Sequence, residues 1–226
     1  MGVKERKEKE KELRREGILK NGEKLFIEKG FVNTTMDEIA RVCELAKGTL
    51  YLYFSSKEEL LFSIIYKALS NLYELMFEYQ KNLNDPVERL RMVGKAYFEF
   101  YSKYPDHFRL LSDIHIPGKF HPAVDENRHQ MIHDRIRDIW VLIIKIVKDG
   151  MDSGIFKKST DPMEVAISLW SISTSMIKMH DFSSFVTKLD DMHADIPFLN
   201  FDYLNFYCPQ LAPAAVPPEA LPAAAI

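Results

Sequence analysis

Apolar residues recur at intervals of three and four along almost the whole chain, and nowhere do β-branched residues alternate with polar ones over a useful length. That periodicity dictates helices and leaves no room for a sheet. Gly30, Pro86, Pro105, Pro117, Pro122, Gly150, Gly154, Pro162, Pro197 and Pro209 interrupt it at helix-length intervals. The expected fold is therefore all-α, with roughly nine helices.

Composition sets the outer bounds. A chain of 226 residues with 46% hydrophobic and 12% aromatic side chains can fill a sizeable core without staples. Only Cys43 and Cys208 are present, too few and too widely spaced for a disulfide framework or a metal motif, so both are expected as reduced thiols in a cytoplasmic protein. The first sixteen residues are dense in Lys, Arg and Glu, which rules out a signal peptide, and no stretch reads as a membrane span. The formal net charge of −3 gives no global electrostatic footprint for a polyanion. The mixed charge run from Lys4 to Glu16 reads as a solvated helix or frayed arm rather than as a nucleic-acid-binding tail.

The densest information lies between residues 18 and 65. A first helix from about Lys4 to Lys29 carries Ile18, Leu19, Leu25 and Phe26 on one face, with Gly30 placed to end it. Thr35, followed three residues later by Glu38, forms a capping box before a short apolar stripe of Ile39, Ala40 and Cys43. After a break at Glu44-Leu45, the segment Ala46 to Phe54 places Leu50 and Phe54 four residues apart, facing a core. Ser56 with Glu59 then opens a long helix through Leu60, Leu61, Ile64, Ile65, Leu69 and Leu72. Two short helices joined by a tight turn, flanked by longer ones, make a helix-turn-helix unit. Its surface from Lys47 to Lys57 combines cations, hydroxyls, phenols and a glycine with no acid, the groups that meet phosphates and base edges.

These residues resemble the TetR family of regulators. Ile18-Leu19, Leu25-Phe26, Gly30-Phe31, Thr34-Thr35, Asp37-Glu38-Ile39-Ala40, Lys47-Gly48-Thr49-Leu50-Tyr51, Tyr53-Phe54 and Ser56-Lys57-Glu58-Glu59-Leu60 stand in that family's order and spacing. The resemblance implies an N-terminal homeodomain-like three-helix DNA-binding domain in residues 1–60, a C-terminal ligand-binding and dimerisation domain in residues 61–208, and an Ala/Pro-rich tail in residues 209–226. Three departures stand out. Glu44 occupies a position where the family has Gly, in a turn that calls for positive φ, at a cost of about 1 kcal/mol. Ala46 replaces a Ser cap worth roughly 1 kcal/mol, and Asn21-Gly22 replaces an Ala pair.

By the same resemblance, Thr35 caps the second helix and touches a phosphate. Lys47 reaches the backbone or a guanine, Gly48 allows close approach, and Thr49 meets a base. Tyr51, Tyr53 and Lys57 are expected phosphate ligands, and Leu52 a contact for a thymine methyl. One reading helix covers a half-site, so the implied partner is a pseudo-palindromic double-stranded operator bound by a homodimer. The dimer is expected from two last helices, Met163 to His180 and about Phe182 to Tyr207, with Trp170, Ile172, Met176, Phe198, Phe201 and Phe206 among their apolar residues.

A small hydrophobic effector is expected in the second domain, against Tyr97, Tyr101, Phe108, Leu111, Trp140, Ile144, Trp170, Ser173, Met176 and Met179. The expected activity is that of a repressor released from its operator by that effector. The alternatives are an activator with the same head, or a helical small-molecule-binding protein that has lost DNA binding. Nothing pairs a nucleophile with a base, cradles phosphate on glycine or clusters carboxylates, so neither catalysis nor a cofactor is expected. Asp125, His129 and His133, four apart on a charged stretch beside Arg128 and Arg135, read as a solvated face rather than as metal ligands.

Overall fold

The computed structural model describes residues 2–113, 126–158 and 161–190, and every described element is a helix. In order these are α1 (Val3–Lys29), α2 (Met36–Val42), α3 (Lys47–Tyr51), α4 (Lys57–Gln80), α5 (Pro86–Lys103), α6 (Pro105–Asp113), α7 (Glu126–Asp152) and α8 (Pro162–Asp190). Prolines mark three of the starts. Pro86, Pro105 and Pro162 each occupy the first helical position, where the missing N–H costs nothing and the fixed φ already suits a helix. Asp85 and Asp161 precede two of them and accept from the backbone N–H of Glu88 (3.1 Å) and Met163 (2.8 Å), filling part of the unsatisfied first turn.

The last described helix departs from the expected pair. No glycine or proline occurs between Met163 and Asp190, and α8 runs through the expected break near residue 181 without interruption. The breaks expected at Pro117, Pro122, Pro197 and Pro209 lie outside the described residues, as do Asp125, Phe198, Phe201, Phe206, Cys208 and the tail. By length and composition alone α4 also passes for a membrane span. Half of its apolar window is buried inside the protein, which is what a core helix requires.

Contacts gather the chain into two compact units: Met1–Tyr73 with Phe100–Ile136, and Glu74–Glu99 with Arg137–Ile226. In the first unit Ile18, Phe26, Ile39, Leu50, Phe54, Leu60 and Ile64 are almost wholly removed from water, as their helical spacing predicts. Gly22 in α1 is set against Leu60, where an added Cβ would come within 2.8 Å of a leucine methyl. In the second unit, Val93, Ala96, Ile143, Ile146, Val165 and Leu169 are buried. The Arg89 guanidinium ties that unit together, donating to Gln80 (2.9 Å) and to Asp149 (2.7 Å).

The turn between α2 and α3 is a Schellman motif. The Leu45 N–H donates to the Ala40 carbonyl (2.9 Å) and the Glu44 N–H to that of Arg41 (3.2 Å), which requires Glu44 to adopt a left-handed conformation, φ 55°. Glycine enters that region freely and a glutamate does not, so the strain expected at this position is present. Ala46 then precedes α3 in an extended conformation with no side chain to bond the first turn.

One buried polar pair crosses the first unit. The Glu23 carboxyl of α1 and the His107 imidazole of α6 lie 3.4 Å apart, both about nine-tenths buried. Burial, reinforced by the negative charge of Asp106, pushes Glu23 up to about 8. Burial, reinforced by Lys67, which is itself paired with Glu16, pushes His107 down to about 4.

Two outcomes follow from these features. Glu44→Gly should stabilise the protein by about 1 kcal/mol, raising the thermal midpoint by roughly 2–4 °C; an unchanged or lower midpoint would show that the turn carries no strain. The Glu23 proton is bound more tightly in the folded state, so its contribution is lost as pH rises toward 8, whereas that of His107 is lost as pH falls toward 4. Between the ordinary values of the two groups, 4.5 and 6.5, these slopes cancel. The melting temperature should hold steady across that window and fall between about pH 6.5 and 8, and Glu23→Gln should abolish the alkaline fall.

Candidate nucleic-acid interface

The loop leading into α2 is fixed before the reading surface begins. Thr35 caps α2, accepting from the Glu38 N–H (3.2 Å), while the Glu38 carboxylate accepts the Thr35 N–H (3.1 Å), completing the expected capping box. Lys29 at the end of α1 donates to the other Glu38 oxygen (2.7 Å). That cation, with the hydrogen bonds from Thr35, holds the carboxyl below its usual range. The Thr34 hydroxyl, fully buried, donates to the Gly30 carbonyl at 2.8 Å.

Lys57 belongs to this framework. Its ammonium donates to the carbonyls of Phe31 (2.7 Å) and Thr34 (2.8 Å) and lies 4.3 Å above the centre of the Phe31 ring. The geometry thus gives Lys57 a role inside the protein's own loop, whereas the sequence reading assigned it to a phosphate.

With α2 set, α3 presents a contiguous face. Leu50 is fully buried beneath it and Phe54 nearly so, while Tyr51 is 42% and Leu52 82% exposed. Thr49 and Tyr53 are half-buried, and Gly48 faces open space, since a Cβ there would meet no atom within 4 Å. Lys47, Gly48, Thr49, Tyr51, Leu52 and Tyr53 are therefore brought together, and Thr35 is exposed at the start of α2.

The pattern alone did not show that Lys47 is already engaged. Its ammonium lies 2.6 Å from the Asp37 carboxylate of α2, which holds its pKa above the ordinary lysine value. A basic stretch free of acids at residues 47–57 carried no hint of a carboxylate arriving from ten positions upstream.

A second feature missed from sequence is a groove beside the end of α3, formed by Leu52 and Tyr53 with Lys9, Lys11 and Arg15 of α1 and the acids Glu8 and Glu12. Arg15 places its guanidinium 5.0 Å above the Phe54 ring. Of the histidines weighed as metal ligands, His129 and His133 are both exposed.

The second unit contains a small apolar cavity of about 40 Å³. Among the residues expected around an effector, Tyr97, Trp170 and Ser173 line it, together with Met76, Val93 and Ile143. The Tyr97 hydroxyl is 2.8 Å from that of Thr174, and burial pushes the phenol pKa up. Trp140 stands edge-on to Trp170, with ring centroids 6.0 Å apart.

The remaining candidates are not gathered there. Tyr101 and Phe108 pack edge-on to one another at 5.2 Å in the first unit, where Leu111 also lies, and Met179 is 67% exposed. Ile144 and Met176 are half-buried in the second unit and do not line the cavity. Helical spacing could not separate these groups, because core and cavity wall both demand large apolar side chains.

Comparison with known proteins agrees with this architecture. Residues 18–64 match the family described as bacterial regulatory proteins, tetR family, and residues 86–195 match the tetracyclin repressor-like C-terminal domain. The chain is 23% identical over 191 residues to the HTH-type transcriptional repressor NicS of Pseudomonas putida, spanning 83% of this chain and 87% of that one. Among solved structures, a tetR-family regulatory protein from Rhodococcus RHA1 superposes with a TM-score of 0.69 at 18% identity, covering 89% of this chain and 98% of that one. AibR in complex with isovaleryl coenzyme A and operator DNA gives a TM-score of 0.61 at 23% identity, with 73% and 86% covered. Its two matched domains, with the helix-turn-helix of α2 and α3 in the first, place the chain in the TetR family of DNA-binding transcriptional regulators.

Proposed function

We propose that the protein is a homodimeric repressor in the cytoplasm that reads a pseudo-palindromic operator through α3 and is released from it by a small hydrophobic effector. The observation that carries this reading is the exposed run Tyr51-Leu52 on a helix whose opposite side, Leu50 and Phe54, is locked in the core. Leu52, 82% exposed directly after α3, is a large apolar side chain suited to a thymine methyl. Tyr51 and Tyr53 flank it with hydroxyls suited to phosphate oxygens. The two-fold arrangement rests on family membership and on the apolar groups Val141, Met163 and Ile167, which are exposed on α7 and α8 of the second unit.

The effector's chemistry follows from the cavity wall, which is apolar apart from Tyr97 and Ser173. At about 40 Å³ the space holds only a few waters, so a ligand enters by parting side chains rather than by filling a void. The AibR complex, with its branched short-chain acyl thioester, makes acyl-coenzyme A esters the first compounds to test.

Two measurements test the reading. On a duplex selected by the wild-type protein from a random-sequence library, Tyr53→Ala should weaken binding by about 1–3 kcal/mol; wild-type and variant binding alike at moderate salt would overturn DNA reading by α3. Ser173→Phe, which fills the cavity, should leave duplex binding intact while abolishing release by whichever acyl thioester releases the wild type.

A further inference from the structure

Glu59, in the first turn of α4, divides its two carboxylate oxygens between two tasks. Oε2 accepts the backbone N–H and the hydroxyl of Ser55, at 2.7 and 2.6 Å, so it fixes the residue that directly follows Tyr53-Phe54. Oε1 accepts from the guanidinium of Arg128, at 3.0 Å, from the first turn of α7. Without a partner on Oε1, a carboxylate one quarter exposed would gain by turning toward water, and its hold on Ser55 would loosen. Arg128 is itself held in place, with its guanidinium 5.7 Å above the Phe62 ring. Two turns further along α7, Arg135 lies over the rings of Tyr66 and Tyr73 at 5.7 and 5.2 Å, so the same face of α7 follows α4 from Glu59 to Tyr73.

We propose that Arg128 is a positioning residue for DNA reading: acting through Glu59 and Ser55, it sets the backbone that carries Tyr51 and Tyr53. The proposal rests on the reading of α3 given above. Phe54 anchors the inner side of this segment in the core, while the outer side has no such anchor, so the placement of the two phenols depends on the backbone leaving α3. A displacement of the first turns of α7 is then felt at Ser55, next to the reading face. Arg128 needs no contact with DNA for this role, and the effect should appear in DNA affinity more than in stability.

The test measures fluorescence anisotropy on the duplex selected by the wild-type protein, alongside thermal melting. Arg128→Met keeps the apolar stem against Phe62 and removes the donor. It should bind about fivefold more weakly, the equivalent of an ion pair worth ~1 kcal/mol, with a melting temperature close to that of the wild type. Arg128→Lys should recover part of the loss. In a Glu59→Gln background, Arg128→Met should cost nothing further, because the pair is already broken.

Equal affinity of Arg128→Met and wild type overturns the proposal, as does a loss of the same size with or without Glu59. A loss matched by a proportionate fall in melting temperature, with no recovery in Arg128→Lys, overturns it too, by reducing Arg128 to general support. A wild-type protein that enriches no duplex overturns the reading of α3 itself, and the proposal with it.

Discussion

The placement of the Lys57 ammonium on the carbonyls of Phe31 and Thr34 is the constraint on which the reading head depends. Those carbonyls belong to the loop after α1, where helical bonding has ended and backbone acceptors would otherwise need water. One cation from the start of α4 satisfies two of them and rests on the Phe31 ring, so α1, the loop and α4 are joined at one point. Thr35 and Glu38 then close α2 onto that loop, and the turn at Glu44 sends α3 outward. Each later element inherits its position from this junction, which is why an exposed helix of five residues, far too short to persist alone, can hold a fixed face.

Much of this was legible in the sequence because the signals were local. Capping at Thr35 with Glu38, the prolines that open α5, α6 and α8, and the buried positions of α1 and α4 all follow from spacing within a few residues. The strain at Glu44 was legible only by resemblance, since nothing in the residues themselves demands positive φ there. What stayed hidden was directional or distant. A lysine at a helix start reads as a phosphate ligand unless the loop that captures it is seen, and the Asp37 carboxylate beside Lys47 arrives from another helix. Arg128 and Glu59 meet across 69 positions, a separation over which sequence carries no pairing signal. Tyr97 and Tyr101 are chemically equal and one turn apart, yet only the first lines the cavity.

Function in this fold draws on two kinds of imperfection. The cavity of the second unit is small and lined mostly by apolar groups, so a ligand larger than a few waters must displace its walls, and a state that already holds them apart would bind it better. The Glu23–His107 pair in the first unit buries two titratable groups where an apolar contact would have been cheaper. Both leave the packing responsive to something outside the protein, a ligand in the first case and pH in the second.

The ion pair between Lys47 and Asp37 bears on how such a protein would find its site. Sequence-independent attraction to DNA grows with the number of cations that displace counterions from phosphates, and here the reading helix offers a cation already neutralised by its own neighbour, on a chain with a net charge of −3. The pair leaves one cation fewer on α3 to displace counterions from phosphates. A phosphate or guanine that took the place of Asp37 would return the lysine to a partner without stripping it from bulk water. Binding at such a site would then turn on exchanging one partner of Lys47 for another rather than on attraction at long range.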